Sequence, residues 1–191
     1  MGRFIVETLG NSDILLIRPR RFVDQRGYFM ETYREADFRE LGIGCSFIQD
    51  NHSYSAVAGT IRGLHFQRAP KAQAKLVRVL CGAIFDVAVD LRPASATFGR
   101  WFSTNLSAEG GEMLFIPTGF AHGFCTLVPD THVCYRVDAY YSLEHDAGVR
   151  WNDPQIGVDW PVNMGEAVLS EKDKKLPLLA SIMEDEWKNV S

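Results

Sequence analysis

The chain has 191 residues, 46% hydrophobic and 12% aromatic, which is enough for one domain with a full core and too apolar for a disordered segment. Its formal net charge of -4, from 20 basic and 24 acidic side chains, offers no general attraction to nucleic acid or to an anionic membrane. An anionic ligand must then be met by local arginines and lysines.

From the N-terminus, MGRFIVETLG has no basic stretch leading into an apolar run, and no later segment approaches about 18 apolar residues, so a soluble, cytoplasmic protein is expected. Val6 stands where a myristoylation signal needs Ser or Thr, and Asn51-His52-Ser53, formally a glycosylation sequon, lacks a secretory context. Segments rich in Val, Ile, Phe and Tyr then recur about every ten residues with Gly, Pro, Asn or Asp between them, the cadence of an antiparallel sandwich or barrel. The strand candidates are 13–20, 27–33, 45–52, 59–67, 74–80, 83–91, 99–106, 112–116, 122–128 and 131–141, with turns at Asp24 to Gly27, Cys81-Gly82 and Pro117 to Gly119. Helix is expected only at 34–41 and at 170–183, where Ser170 is the N-cap and Asp173 occupies the N3 position of a capping box. Cys45, Cys81, Cys125 and Cys134 show no CxxC spacing and read as reduced, largely buried hydrophobes. Without repeat or linker, residues 1–191 read as a single all-β domain.

The chemistry concentrates in Arg62-Gly63-Leu64-His65-Phe66-Gln67. Strand alternation places Arg62, Leu64 and Phe66 on one face and Gly63, His65 and Gln67 on the other. A histidine held on a strand inside a concave sheet can act as a base near neutral pH. Other polar side chains fall where strands end or face inward: Gln49 to His52, Lys75, His122 and Tyr135. Metal-binding cupins carry His-x-His, but here Gln67 follows His65-Phe66, and an amide is a poor ligand; no metal is expected. Read alone, Asp173 is a capping acid, Tyr135 half-buried core and Lys75 a strand-edge charge.

The strings RGLHFQ (62–67), AKLVRVLCGAIFDVAVDLR (74–92), TFGRW (97–101), LFIPTGFAHGF (114–124), YYS (140–142), WNDPQIGVDWP (151–161) and LSEKD (169–173) together resemble the dTDP-4-dehydrorhamnose 3,5-epimerase family. The likeness runs from DQRGYF (24–29) to LSEKDKKLPLL (169–179). It implies a cupin-like jelly roll with a few short helices, a homodimer without cofactor, and a dTDP-linked 4-keto-6-deoxy sugar inverted at C3 and C5. By position it implies His65 as base, Asp173 as its carboxylate partner and Tyr135 as the acid on the opposite face, with Lys75 and Arg62 along the sugar and pyrophosphate. Gln49, Asn51, His122, Asp146 and Lys172 match ligand contacts, and Phe22, Arg26, Phe29 and Glu31 match contacts from a neighbouring subunit. A 3-only or 5-only epimerase, or a silent sugar-nucleotide-binding jelly roll, would share the fold; a retained base and acid favour the enzyme.

Overall fold

A computed structural model describes residues 2–182. The strands run in chain order as β1 (Phe4–Thr8), β2 (Leu15–Pro19), β3 (Phe22–Asp24), β4 (Gly27–Phe29), β5 (Gln49–Ser55), β6 (Ile61–Gln67), β7 (Lys75–Cys81), β8 (Ala83–Asp90), β9 (Trp101–Ser107), β10 (Met113–Ile116), β11 (Phe120–Thr126), β12 (Thr131–Val137) and β13 (Asp146–Gly148). Among the described residues, helices are limited to α1 (Glu35–Glu40), α2 (Glu171–Lys174) and a 3-10 turn at Leu179–Ser181.

Two antiparallel sheets face each other, one in the order β1-β2-β10-β7-β12-β5 and the other β13-β6-β11-β8-β9, while β3 and β4 form a separate hairpin. Consecutive strands β7 and β8 lie in different sheets, so the chain must turn sharply between them. Gly82 makes that turn at φ +80°, where an added Cβ would meet the Thr131 hydroxyl. Alternation sorts the side chains into three apolar layers. Ile14, Leu16, Val77 and Val79 meet Ile84, Ala88, Leu106, Phe120 and Phe124 between the sheets. Ile61, Leu64, Phe66, Val87 and Val89 are covered by Trp151, Ile156, Val158 and Trp160 of the C-terminal segment. Phe38 of α1 and Ile43 cap Ile17, Leu76, Met113 and Phe115 on the other sheet.

Most expected strands are present with shifted ends. The short β1, β3 and β13 escaped the sequence reading, because β1 and β3 carry no buried residue to mark a period and β13 is only three residues long. The expected helix at 170–183 shrinks to one turn, α2, before the chain extends again; Met183 lies outside the described residues. Its cap is as expected, with Ser170 Oγ accepting from the Asp173 amide at 3.0 Å, a bond worth about 1 kcal/mol. Of the cysteines only Cys125 is buried and Cys81 is exposed, correcting the expectation of general burial.

The face assignment in β6 also needs correction. His122 stands opposite His65 and Phe124 opposite Arg62, so Gly63 and Leu64 share one partner, Gly123, in a β-bulge. The bulge inserts one residue into the alternation. Leu64 and Phe66 join Ile61 in the outer apolar layer, whereas Arg62, His65 and Gln67 line one cavity. Gly63 permits the close approach, since a Cβ there would sit 2.6 Å from Gly123 Cα.

Candidate active site

At one end of the sandwich the inward-facing residues change from apolar to polar and line a cavity of about 650 Å³. The six-stranded sheet contributes Gln49, Asn51 and Ser53 from β5, Lys75 from β7 and Tyr135 from β12. Facing them, the five-stranded sheet contributes Arg62, His65 and Gln67 from β6, His122 from β11 and Asp146 from β13. Alternation on β7 continues Lys75 into Val77 and Val79, so a single strand face serves both site and core.

His65 Nε2 lies 2.6 Å from Asp173 Oδ1. Burial raises the Asp173 pKa, but hydrogen bonds from His65, Ser170 and the Gly63 backbone outweigh it and leave the group below its ordinary value. An ionised carboxylate only accepts, so Nε2 carries the proton and the lone pair resides on Nδ1. The short helix α2 thus fixes the tautomer of an imidazole on β6.

Lys75 is only 8% exposed, and its ammonium donates to the His65 carbonyl at 3.2 Å. Burial lowers its pKa to about 8, opposed by the negative charges of Asp86 and Asp146. At neutral pH it remains a cation in a water-poor site. Tyr135 moves the other way: burial raises its pKa against the pull of Arg62, so the phenol keeps its proton. His122 Nε2 lies 3.0 Å from each oxygen of Asp86, which is fully buried. Arg62 is held by Ser55 Oγ at 3.2 Å and the Tyr54 carbonyl at 2.8 Å. Gln49 donates to Asn51 at 2.8 Å, and Lys172 pairs with Asp146.

Ten of the fourteen candidate residues therefore line one cavity: His65, Asp173, Tyr135, Lys75, Gln49, Asn51, Arg62, His122, Asp146 and Lys172. Phe22, Arg26, Phe29 and Glu31 do not. Phe22, Arg26 and Phe29 belong to the exposed β3–β4 hairpin, where Arg26 pairs with Asp24 at 2.6 Å, and Glu31 pairs with Arg3 at 2.7 Å. The sequence reading missed Asp86, although an acid inside the apolar run AIFDVAVD is a signal of a buried, partnered charge. It also missed Tyr141 and Gln73 in the lining. Among the described residues no group of three His, Cys, Asp or Glu is placed to hold a metal ion, and no helix is long and apolar enough to cross a membrane.

Fold and site together define a cupin-type β-sandwich whose cavity holds an imidazole paired with a carboxylate on one side and a protonated phenol and a cation on the other. The family model for dTDP-4-dehydrorhamnose 3,5-epimerase matches residues 9–181. The dTDP-4-dehydrorhamnose 3,5-epimerase of Sinorhizobium fredii is 53% identical over 92% of this chain and 90% of its own. The Bacillus anthracis enzyme of the same name, solved with TDP and PPi bound, superposes with a TM-score of 0.89 at 54% identity, covering 92% of this chain and 99% of that one. A dTDP-6-deoxy-D-glucose-3,5-epimerase from Legionella pneumophila, in complex with dTDP-4-keto-L-rhamnose, gives 0.90 at 40% identity over 95% and 96% of the two chains. The chain belongs to the dTDP-4-dehydrorhamnose 3,5-epimerase family.

Proposed function

We propose that the chain converts dTDP-4-dehydro-6-deoxy-D-glucose into dTDP-4-dehydro-L-rhamnose by inverting C3 and C5, with His65 removing the proton at each carbon. The observation that carries this reading is the 2.6 Å His65–Asp173 pair on one sheet, facing Tyr135 and Lys75 on the other. Both carbons flank the C4 ketone, so loss of either proton places negative charge on the C4 oxygen. The Lys75 ammonium meets that charge where little water competes. Tyr135 then delivers a proton to the opposite face of the carbon, and the two separate groups produce inversion rather than simple exchange. Arg62, Gln49, Asn51, His122, Asp146 and Lys172 hold the nucleotide sugar around this centre.

The four candidates outside the cavity belong, in this reading, to a homodimer. Phe22 and Phe29 stack across β3–β4 with ring centroids 6.5 Å apart, and both are exposed, as expected of a hairpin that enters a neighbour's site. There Arg26 meets the diphosphate, Phe22 and Phe29 flank the thymine, and Glu31 completes the contacts. Mixing Arg26→Ala with His65→Ala subunits should then restore activity through heterodimers with one intact site. No recovery after verified subunit exchange would remove Arg26 from the neighbour's site. The protein is expected to work in the cytoplasm, without nucleic acid or membrane.

Incubation with the 4-keto sugar nucleotide in deuterated water tests the whole reading. Deuterium at both C3 and C5, with inverted product, supports it; deuterium at one carbon makes the enzyme a single-centre epimerase, and none at either overturns it.

A further inference from the structure

Gln67 occupies the cavity wall two residues beyond His65, yet its amide is bonded to the protein's own backbone. It is 4% exposed. Its Nε2 donates to the Lys71 carbonyl at 2.6 Å and to the Tyr140 carbonyl at 3.3 Å, and its Oε1 accepts from the Ser142 amide at 2.6 Å. Both donors are used within the protein. The segment 138–142, between β12 and β13, is pinned by two more glutamines: Gln73 donates to the Ala139 carbonyl at 2.7 Å, and Gln49 accepts from the Tyr141 amide at 3.1 Å. Glutamine side chains from β5, β6 and the loop before β7 thus replace the ladder partners that a connecting loop lacks.

The pinned segment presents Tyr141, which lines the cavity and donates through its hydroxyl to Asp146 at 3.1 Å. Asp146 in turn pairs with Lys172, the residue before Asp173. Tyr141 is still 54% exposed, so packing alone does not hold its ring. We propose that Gln67, assisted by Gln49 and Gln73, is a positioning residue that sets the Tyr141 wall of the substrate cavity by clamping the 139–142 backbone.

Gln67→Glu tests this at constant size, because it replaces an amide donor facing two carbonyls with an acceptor. Amide hydrogen exchange at Tyr141 and Ser142 should accelerate, and the Kd for thymidine diphosphate, read by calorimetry, should rise on the order of tenfold. KM for the keto sugar should follow, with kcat falling less. Tyr141→Ala should produce a comparable rise, and Gln67→Glu/Tyr141→Ala should be no worse than Tyr141→Ala alone. Additive effects, or a lower Tm with unchanged exchange and Kd, would overturn the proposal. If Gln67→Glu does not fold, Gln73→Glu, which disturbs the Ala139 contact alone, enters the same cycle with the same deciding outcomes. The kinetic arm rests on the epimerase reading; if the wild type turns nothing over, the exchange and binding arms still decide whether Gln67 sets the wall.

Discussion

Asp86 and Asp90 sit four residues apart on β8, point to the same side of it and are both fully buried, yet their surroundings differ completely. Asp90 receives the Arg92 amide at 2.9 Å, Arg92 Nε at 2.9 Å and Nη2 at 2.7 Å, and the hydroxyls of Ser95 and Thr97 at 2.6 Å each. Burial raises its pKa, and those bonds more than reverse it, to about 2. Asp86 is instead paired with the His122 ring, and its charge is felt by Lys75. A buried carboxylate that its own chain saturates organises a turn; Asp86 instead lies behind two groups of the cavity lining, His122 and Lys75. The same strand therefore serves as scaffold at one end and as site at the other.

The largest test of that division removes the base. His65→Ala should cut exchange per folded molecule at both C3 and C5 by about 10² to 10⁴-fold, and because it unpairs the buried Asp173 it should also lower stability, by about 1 to 3 kcal/mol. Stability lost with exchange per folded molecule intact would make His65 part of the scaffold. Tyr135→Phe should be smaller and different in kind. It keeps the ring in its packing against the inter-sheet core and deletes only the hydroxyl. Deuterium should still wash in from the His65 side, while inversion falls; exchange and inversion failing together would take the acid role from Tyr135.

At the scaffold end, Asp90→Asn should cost about 2 kcal/mol of folding stability at neutral pH and leave kcat per folded molecule intact. The sign follows from the depressed pKa: the contribution is complete above the ordinary value of 3.8 and is lost as pH falls through about 2. Urea melts at pH 7 and near pH 2 should therefore show the variant's deficit shrinking with acid. Asp86→Asn should reverse the pattern, lowering activity more than stability. A kcat defect in Asp90→Asn would erase the contrast.

How much of this was legible in sequence depends on whether the deciding contact is local. The Ser170 N-cap is local and appears as read, although the Asp173 carboxylate that would close the capping box is bonded to His65 instead. That Asp173 reaches His65, 108 positions earlier, is a product of topology and was available only through resemblance. Alternation correctly set His65 and Gln67 on one face but misplaced Arg62, because the bulge depends on Gly63 meeting Gly123 on another strand. Gln67 was legible as a poor metal ligand, but not as a clamp, since two of its three partners lie in a loop 73 and 75 residues away. The exposed hairpin carrying Phe22, Arg26 and Phe29 has no buried residue to mark a period.

Lys75 gives the finest test, because its pH dependence should run in opposite directions for stability and for activity. With a folded pKa of about 8 against an ordinary 10.5, the charged lysine costs the folded state stability; that cost is complete below about pH 8 and disappears as pH rises through 10.5. The enolate needs the same charge, so kcat/KM should fall above about pH 8, roughly tenfold per unit, over the range in which folding gains. Lys75→Met, which abolishes the buried charge, should be as stable as wild type or more so at pH 7 and nearly inactive. Lys75→Arg keeps a cation at every accessible pH but in a larger, planar head, so its residual activity should lose the alkaline limb. If the limb persists unchanged in Lys75→Arg, another group titrates there, and the ammonium is buried for a reason other than the enolate.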